Sequence, residues 1–293
     1  MPLHALACVL VAALLHAVWN LAAKKAQGGA HFTLAAALGV SLVWLPVAAW
    51  AAVDDLPHWT STTWAIVFAS AVVHLGYFNC LMAGYRAADL TIVYPVARGS
   101  APLLSALCAV AFFGEHLGLL GALGLAGVVA GIVLMTAGPQ FGKPHDPEAT
   151  VARRRRAGIW WGLATGSLIA GYSVIDAYAV KVLLVSPLLL DYFGNVLRAP
   201  LMLPAALRDA RGFWPEVRRT WKAVLTISTL GPIAYMLVLY AMREAPLSRV
   251  APARELSMLF AALLGGQMLG EGERGWRIGG AGLIAAGVIG LAL

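Results

Sequence analysis

Charge is scarce in this chain. Asp, Glu, Lys and Arg supply only 12% of its 293 residues, while 60% are hydrophobic and the mean hydropathy is +0.79. A soluble fold has too little polar surface to work with at that composition, which excludes a water-facing globular domain. Cysteine is equally sparse: Cys8, Cys80 and Cys108 stand alone inside apolar runs, so neither a disulfide framework nor a metal centre is expected. There is no HExxH for zinc, no GxSxG nucleophile turn and no His-x4-Asp pair. His74 and Asn79 have the last spacing, but an amide cannot act as a base. Nor is there a GxxxxGK[ST] phosphate loop, which excludes drive by a resident ATPase site. The N-terminus lacks the basic start of a secretory signal and reads as a retained first helix. No catalytic residue, cofactor or metal is therefore expected.

What the chain does have is a series of apolar runs of about twenty residues, each long enough to cross a ~30 Å hydrocarbon core as a helix. Ten are expected: Leu3–Ala23, Phe32–Val53, Thr63–Tyr85, Leu90–Phe113, Leu117–Ala137, Gly158–Val180, Pro187–Leu207, Ala223–Met242, Val250–Leu269 and Trp276–Leu293. The runs do not alternate in ten-residue segments as barrel strands do. The expected fold class is an all-α integral membrane protein.

The basic character, pI about 9.6, belongs to loops rather than to a nucleic-acid face. Alternate loops hold Lys24, Lys25, Arg86, Lys143, Arg153 to Arg156, the group from Arg208 to Lys222, Arg274 and Arg277, which is 15 of the 21 Lys and Arg; the opposite loops hold Lys181, Arg243 and Arg249. The positive-inside rule puts the richer side in the cytoplasm and both termini outside. One long linker, "GPQFGKPHDPEATVARRRR", divides the chain into residues 1–137, a basic 138–156 and residues 157–293, five spans on either side.

The two halves repeat. A slide of 157 places Arg86 on Arg243, Leu90 on Leu247 and Pro95 on Pro252; with one residue dropped, a slide of 156 places Arg98 on Arg254, Glu115 on Glu271, Gly124 on Gly280 and Gly131 on Gly287. Five is odd, so the second copy must face the opposite way, and inverted repeats of this kind are a transporter architecture.

Charges inside apolar spans cost roughly 2.5–3.5 kcal/mol each on insertion scales, so they face the protein interior and have a role. Six are expected there, Arg98, Arg198 and Arg254 against Asp176, Asp191 and Glu255. Asp191 and Arg198, seven apart on one face, read first as an ion pair holding helices together. Other polar groups recur at helical spacing. His16 and Asn20 share a face with Trp19 beside them, and the slide sets them on Tyr172 and Asp176; His74 and Tyr77 share a face, and Tyr235 follows Pro232 by three. Tyr94 and Arg98 lie between Pro95 and Pro102, whose missing N–H groups are expected to kink or partly unwind the fourth span, and broken helices lining a cavity are where such transporters bind solute. The expected substrate-binding set is thus His16, Trp19, Asn20, His74, Tyr77, Tyr94, Arg98, Tyr172, Asp176, Tyr235 and Arg254. Asp176, with Glu255 and His16 behind it, is the expected coupling group, an acid in a low-dielectric cavity being suited to exchange a proton with a gradient. Arg98 has no acid close in sequence and is the expected anchor for an anion, whereas Arg254, followed by Glu255, is expected to be structural. The glycines of "GALGLAGVVAG" and "GGAGLIAAGVIG" read as close-packing faces, and Glu115 and Glu271 as caps of the helices that follow them.

The stretches "HAVWNLAAKKA", "VYPVARGSAPLLSALCAVAFFGEHLG" and "LLGGQMLGEGERGWRIGGAGLIAAGVIG" resemble the EamA branch of the drug/metabolite transporter superfamily along essentially the whole chain. The resemblance implies ten helices in two inverted halves, a central pocket reached alternately from each side, transport of small organic metabolites, often as export, and a bacterial inner membrane location. The first- and fourth-span motifs are also similar to a bacterial subgroup linked to phosphonate utilisation. Characterised relatives have both termini in the cytoplasm, in conflict with the charge count. The expected partners are a small-molecule metabolite and the lipid bilayer, with no nucleic acid; the sequence leaves open a homodimer, a lipid flippase of the same fold and, more distantly, an intramembrane enzyme. A channel would need a ring of carbonyls or charges that the sequence lacks.

The charge bias sets the first test. A cytoplasm-dependent reporter fused after Leu293 should be inactive, and a cysteine placed in the 138–150 linker should resist impermeant thiol reagent in intact cells; the opposite pattern reverses the topology.

Overall fold

The computed structural model describes residues 1–88, 90–137, 149–261 and 274–293. Its helices, in chain order, are α1 (Leu3–Ala26), α2 (Ala30–Asp55), α3 (Ser61–Ala87), α4 (Leu90–Phe113), α5 (Leu119–Ala137), α6 (Ala149–Lys181), α7 (Pro187–Leu207), α8 (Phe213–Glu244), α9 (Leu247–Ala253) and α10 (Arg274–Ala292). Seven of them are long and apolar enough to cross a membrane by length and composition. Ends are set by local chemistry. Thr60 caps α3 reciprocally with Thr63, Pro187 opens α7, and Gln27 stops α1 in the left-handed conformation.

Three boundaries differ from the sequence expectation for one reason. α1 runs on past Ala23 through Lys24 and Lys25, α6 starts ahead of Gly158 through Arg153 to Arg156, and α8 starts ten residues ahead of Ala223, at Phe213. Hydropathy marks only the apolar part of a helix, whereas the backbone stays helical into the polar boundary, where long basic side chains reach water.

The fourth and ninth spans also depart from expectation, in opposite ways. α4 stays helical through Pro95 and Pro102. It lies tightly on α6: a Cβ on Gly166 would stand 2.0 Å from Ser100 Oγ and 2.9 Å from the Ala97 carbonyl. The break appears instead in its repeat mate. After Pro252 the chain turns at Arg254–Glu255 before helix resumes at 256–261, and the bonds across the turn, Glu255 N to Pro252 O at 3.0 Å and Ser257 N to Arg254 O at 3.1 Å, are the tighter three-residue kind. The rest of the expected ninth span, 262–269, lies outside the described residues.

The packing follows an inverted twofold. α5 lies along α10, and a Cβ on Gly124 would stand 2.5 Å from the Gly287 carbonyl, as one on Gly131 would stand 2.6 Å from the Gly280 carbonyl. Gly124 is the repeat mate of Gly280 and Gly131 of Gly287, so the seam pairs each glycine with the other's mate, and only glycine permits that approach. Likewise α3 on α6 is answered by α8 on α1, and α2 on α8 by α7 on α3, while α2 on α7 is its own counterpart.

The N-terminal amine donates to the Ala292 carbonyl at 2.6 Å, which puts both termini on one face of the bundle; the end of α5 and the start of α6, which flank the linker, lie on the other, called the linker face below. Toward the terminal face the helices meet in a dry core around Val9, Val67, Val185, Leu239, Met242 and Leu247. There the carboxylate of Glu115, in the α4–α5 connection, accepts from the backbone N–H of Leu247 at 2.7 Å and of Ser248 at 2.8 Å, and Lys181 Nζ lies at 3.1 Å. Glu115 therefore caps a helix of the other half, α9, and not α5 as the sequence order led us to expect; Glu271 lies outside the described residues.

Burial opposes ionisation of Glu115, but the donors of Ser248 and Leu247, with Lys181 beside them, outweigh it and hold the carboxyl below its ordinary range. A depressed folded-state pKa contributes stability that is complete above the unfolded value and is lost as pH falls through the folded one. Glu115→Gln, which leaves one of two buried N–H groups facing an amide donor, should cost ~1–3 kcal/mol. In a thermal melt the gap between wild type and variant should be full above about pH 5 and close as the sample is acidified; a pH-independent gap would show that the charge is not what matters.

Candidate functional site

Between the dry core and the linker face lies a cavity of ≈ 390 Å³. On α1 to α4 its lining residues run from His16 to Asn20, Thr33 to Val40, His74 to Leu81 and Tyr94 to Arg98, the portions of those helices nearest the linker face, while α6 and α8 contribute their middles through Thr165 to Tyr172 and Ile227 to Tyr235. Both repeats thus build one chamber, with Arg98 on α4 and its mate Arg254 at the α9 break both in the wall.

Ten of the eleven expected binding residues line it: His16, Trp19, Asn20, His74, Tyr77, Tyr94, Arg98, Tyr172, Tyr235 and Arg254. Asp176 does not. It is fully buried behind the wall, where it accepts from Ser70 Oγ at 2.5 Å and from the Tyr235 hydroxyl, with His74 Nε2 at 3.8 Å. The rings in front of it form a plate: His74 stacks on Tyr172 at 3.9 Å between ring centres, with Tyr77 at 5.5 Å from Tyr172 and Tyr235 edge-on to His74 at 5.7 Å. The sequence pairing of Asn20 with Asp176 holds as a repeat relation, but the extra depth of Asp176 comes from α3 and α8 closing over it.

The donors are oriented by the helices that carry them. His16 Nδ1 meets the Ala12 carbonyl at 3.0 Å and His74 Nδ1 the Ser70 carbonyl at 2.9 Å. A carbonyl can only accept, so Nδ1 carries the proton in both rings and Nε2 of the neutral imidazole is left as an acceptor. Asn20 donates to the His16 carbonyl at 2.7 Å, and the indole N–H of Trp19 is buried without a partner among the described residues.

The arginines divide differently from the sequence expectation. Glu255 does not turn to its neighbour Arg254. Its Oε2 lies 3.5 Å from Arg98 Nε, across the gap between α9 and α4, because the turn at 254–255 swings the two side chains apart. Arg254 donates to the Tyr172 hydroxyl at 3.4 Å and lies 5.7 Å from that ring's centre, with no carboxylate within salt-bridge distance among the described residues. Arg98 also lies over a ring, Tyr94, at 5.8 Å.

Asp191, Asn195 and Arg198 of α7 line the cavity too. Asn195 is not among the residues expected from the sequence, which reads Asp191 with Arg198 as an ion pair between helices. Arg198 Nε in fact donates to its own helix, to the Gly194 carbonyl at 2.9 Å. Spacings of four and three residues put all three on one face, and that one-sided polarity in an apolar span was the available signal.

The EamA-like transporter family model matches residues 3–137 and, a second time, residues 156–293. A solved crystal structure with 19% sequence identity superposes with a TM-score of 0.79 over 98% of this chain and 95% of its own, a likeness of fold. No curated protein sequence matches the chain.

Proposed function

The chain belongs to the EamA-like transporter family, and on that premise we propose that it is a secondary transporter of a small polar or anionic organic metabolite, working by alternating access at a bacterial inner membrane. The observation that carries the proposal is the cavity shared by the inverted halves, with the repeat-mated guanidiniums of Arg98 and Arg254 in its wall. A planar guanidinium cannot lose its proton and presents paired donors that match a carboxylate or phosphonate. The aromatic plate of His74, Tyr172, Tyr77 and Tyr235 supplies apolar contact beside them, as small-molecule sites do.

The two faces are unequal in this conformation. The terminal face is sealed by apolar packing and by Glu115 holding the start of α9, while the cavity extends toward the linker face, which the positive-inside rule places in the cytoplasm. In an inverted repeat the opposite conformation exchanges the roles of the halves. Release of Glu115 from Leu247 and Ser248 is the step that opens the terminal face.

Asp176 is the coupling group in this proposal. It is the carboxylate buried beside the cavity, separated from it by the hydroxyl of Tyr235 and the imidazole of His74, both able to pass a proton. Asp176→Asn keeps the shape and one of the two acceptors, keeps the other contact only with its direction reversed, the amide N–H donating to a hydroxyl oxygen, and removes the titrating group.

Proteoliposomes loaded with a radiolabelled metabolite pool test both parts. The wild type should move label down a solute gradient and against one when a pH gradient is imposed; Asp176→Asn should retain exchange and lose the gradient-driven part. Gradient-driven transport that survives the substitution would remove Asp176 from the coupling role, and absence of any movement would remove the transport reading.

A further inference from the structure

The half-buried carboxylate of Glu115 and the buried one of Glu255 both face cations, and they are built in opposite ways. Glu115 sits in a made socket, with two backbone N–H groups at 2.7 and 2.8 Å and an ammonium at 3.1 Å. Glu255 is more deeply buried, 1% exposed, yet its only cation within salt-bridge distance among the described residues is Arg98, at 3.5 Å. Neither Arg98 Nε nor Glu255 Oε2 has a hydrogen-bond partner among the described residues. A charge-assisted N–H···O bond normally closes to about 2.7–2.9 Å, so this pair is in place but unmade. A carboxylate that served as a permanent strut in an apolar bundle would require the socket that Glu115 has.

The repeat adds a second, independent observation. Arg98 has its mate in Arg254, but under the same slide Glu255 falls on Gly99, so the acid exists in one half only. Glu255 also stands on the turn between α9 and the helix at 256–261, where the backbone bonds are of the three-residue kind, and its side chain is outside the cavity lining while Arg98 is within it, with a quarter of its side chain open.

We propose that Glu255 is a built-in competitor for the substrate's anionic group: it occupies Arg98 while the cavity is empty, and an incoming carboxylate or phosphonate displaces it. This rests on the reading of the cavity as an anion site. The exchange balances in charge. The substrate's negative charge replaces that of Glu255 on the guanidinium, and the displaced carboxylate takes up one proton, because an unpaired charge there would be left in a dry interior. Glu255 lies between Arg98 and Arg254, and the other charged and titratable groups that face these two arginines among the described residues include Tyr94 of α4, Tyr172 and Asp176 of α6, Tyr235 of α8, His16 of α1 and Tyr77 of α3. Glu255 is therefore a positioning residue. It sets how readily Arg98 is surrendered to a ligand, and its proton balances the bound anion, while the proton that couples transport to a gradient stays with Asp176.

The test turns on a sign. Acetate, benzoate and methylphosphonate are titrated calorimetrically into purified full-length protein in two buffers of different ionisation enthalpy. For whichever anion binds, the wild type should take up about one proton per anion near neutral pH. Glu255→Gln, which imitates the displaced, protonated acid, should bind that anion about tenfold more tightly and take up none. Weaker binding by Glu255→Gln, or wild-type binding without proton uptake, overturns the proposal, and the second readout stands even where the variant does not fold. Binding by none of the three anions contradicts the anion reading of the cavity and this inference with it, whereas binding with the wrong sign sinks the inference alone.

Discussion

A full charge inside a bundle that faces lipid must be matched by another, and that constraint organises the centre of this protein. Three guanidiniums and three carboxylates lie in its middle, and their formal charges sum to zero. Five of the six are handled by distinct devices. Asp176 is wrapped by a serine and a tyrosine hydroxyl, Arg198 leans on its own helix backbone, Arg254 lies on a tyrosine ring, and Arg98 and Glu255 face each other at a distance too long for a hydrogen bond. Low dielectric makes each device worth more and each defect cost more than it would in water. The cavity is where that balance is left adjustable.

Symmetry explains why the adjustable part sits there. The seam of α5 on α10 is closed by glycine mates and leaves no room for movement between those helices, so it is the natural fixed frame. The paired contacts of α3 with α6 and α8 with α1 run through the cavity walls instead. The residues joined at the terminal face, Glu115 with Leu247 and Ser248, have sequence counterparts in Glu271 with Leu90 and Thr91. Glu271 is outside the described residues, but the relation itself belongs to the sequence. Departures from symmetry then carry the specific chemistry, as with Asp176 opposite Asn20 and Glu255 opposite Gly99.

Much of this was legible in the sequence because membrane insertion writes in plain terms. Twenty-residue apolar runs, the glycine periodicity of the seam and the rarity of Arg and Asp inside spans each follow from one strong physical penalty, and the aromatic and imidazole groups at helical spacing converged on the cavity. What was not legible depended on contacts between distant helices. Nearness in sequence pointed Glu255 at Arg254, yet a turn in α9 sends it to Arg98. Nearness likewise pointed Glu115 at α5, whereas the twofold brings α9 to it. Proline content marked α4 for a kink or partial unwinding, but proline only removes a donor; whether the helix unwinds depends on its neighbour, and α4 stays helical against the glycine face of α6 while α9 breaks. Hydropathy was also blind to the polar first turns of α6 and α8.

The central claim is that one cavity is reached alternately from the two faces, and site-directed labelling measures this most directly. In a protein freed of Cys8, Cys80 and Cys108, a single cysteine at Ser257 in the cavity wall can be probed with an impermeant thiol reagent in right-side-out and inverted vesicles. Alternating access requires reaction from both faces, faster from the linker face, with the terminal-face rate raised when Glu115→Gln frees the start of α9. Reaction from one face only, unchanged by that substitution, would contradict it.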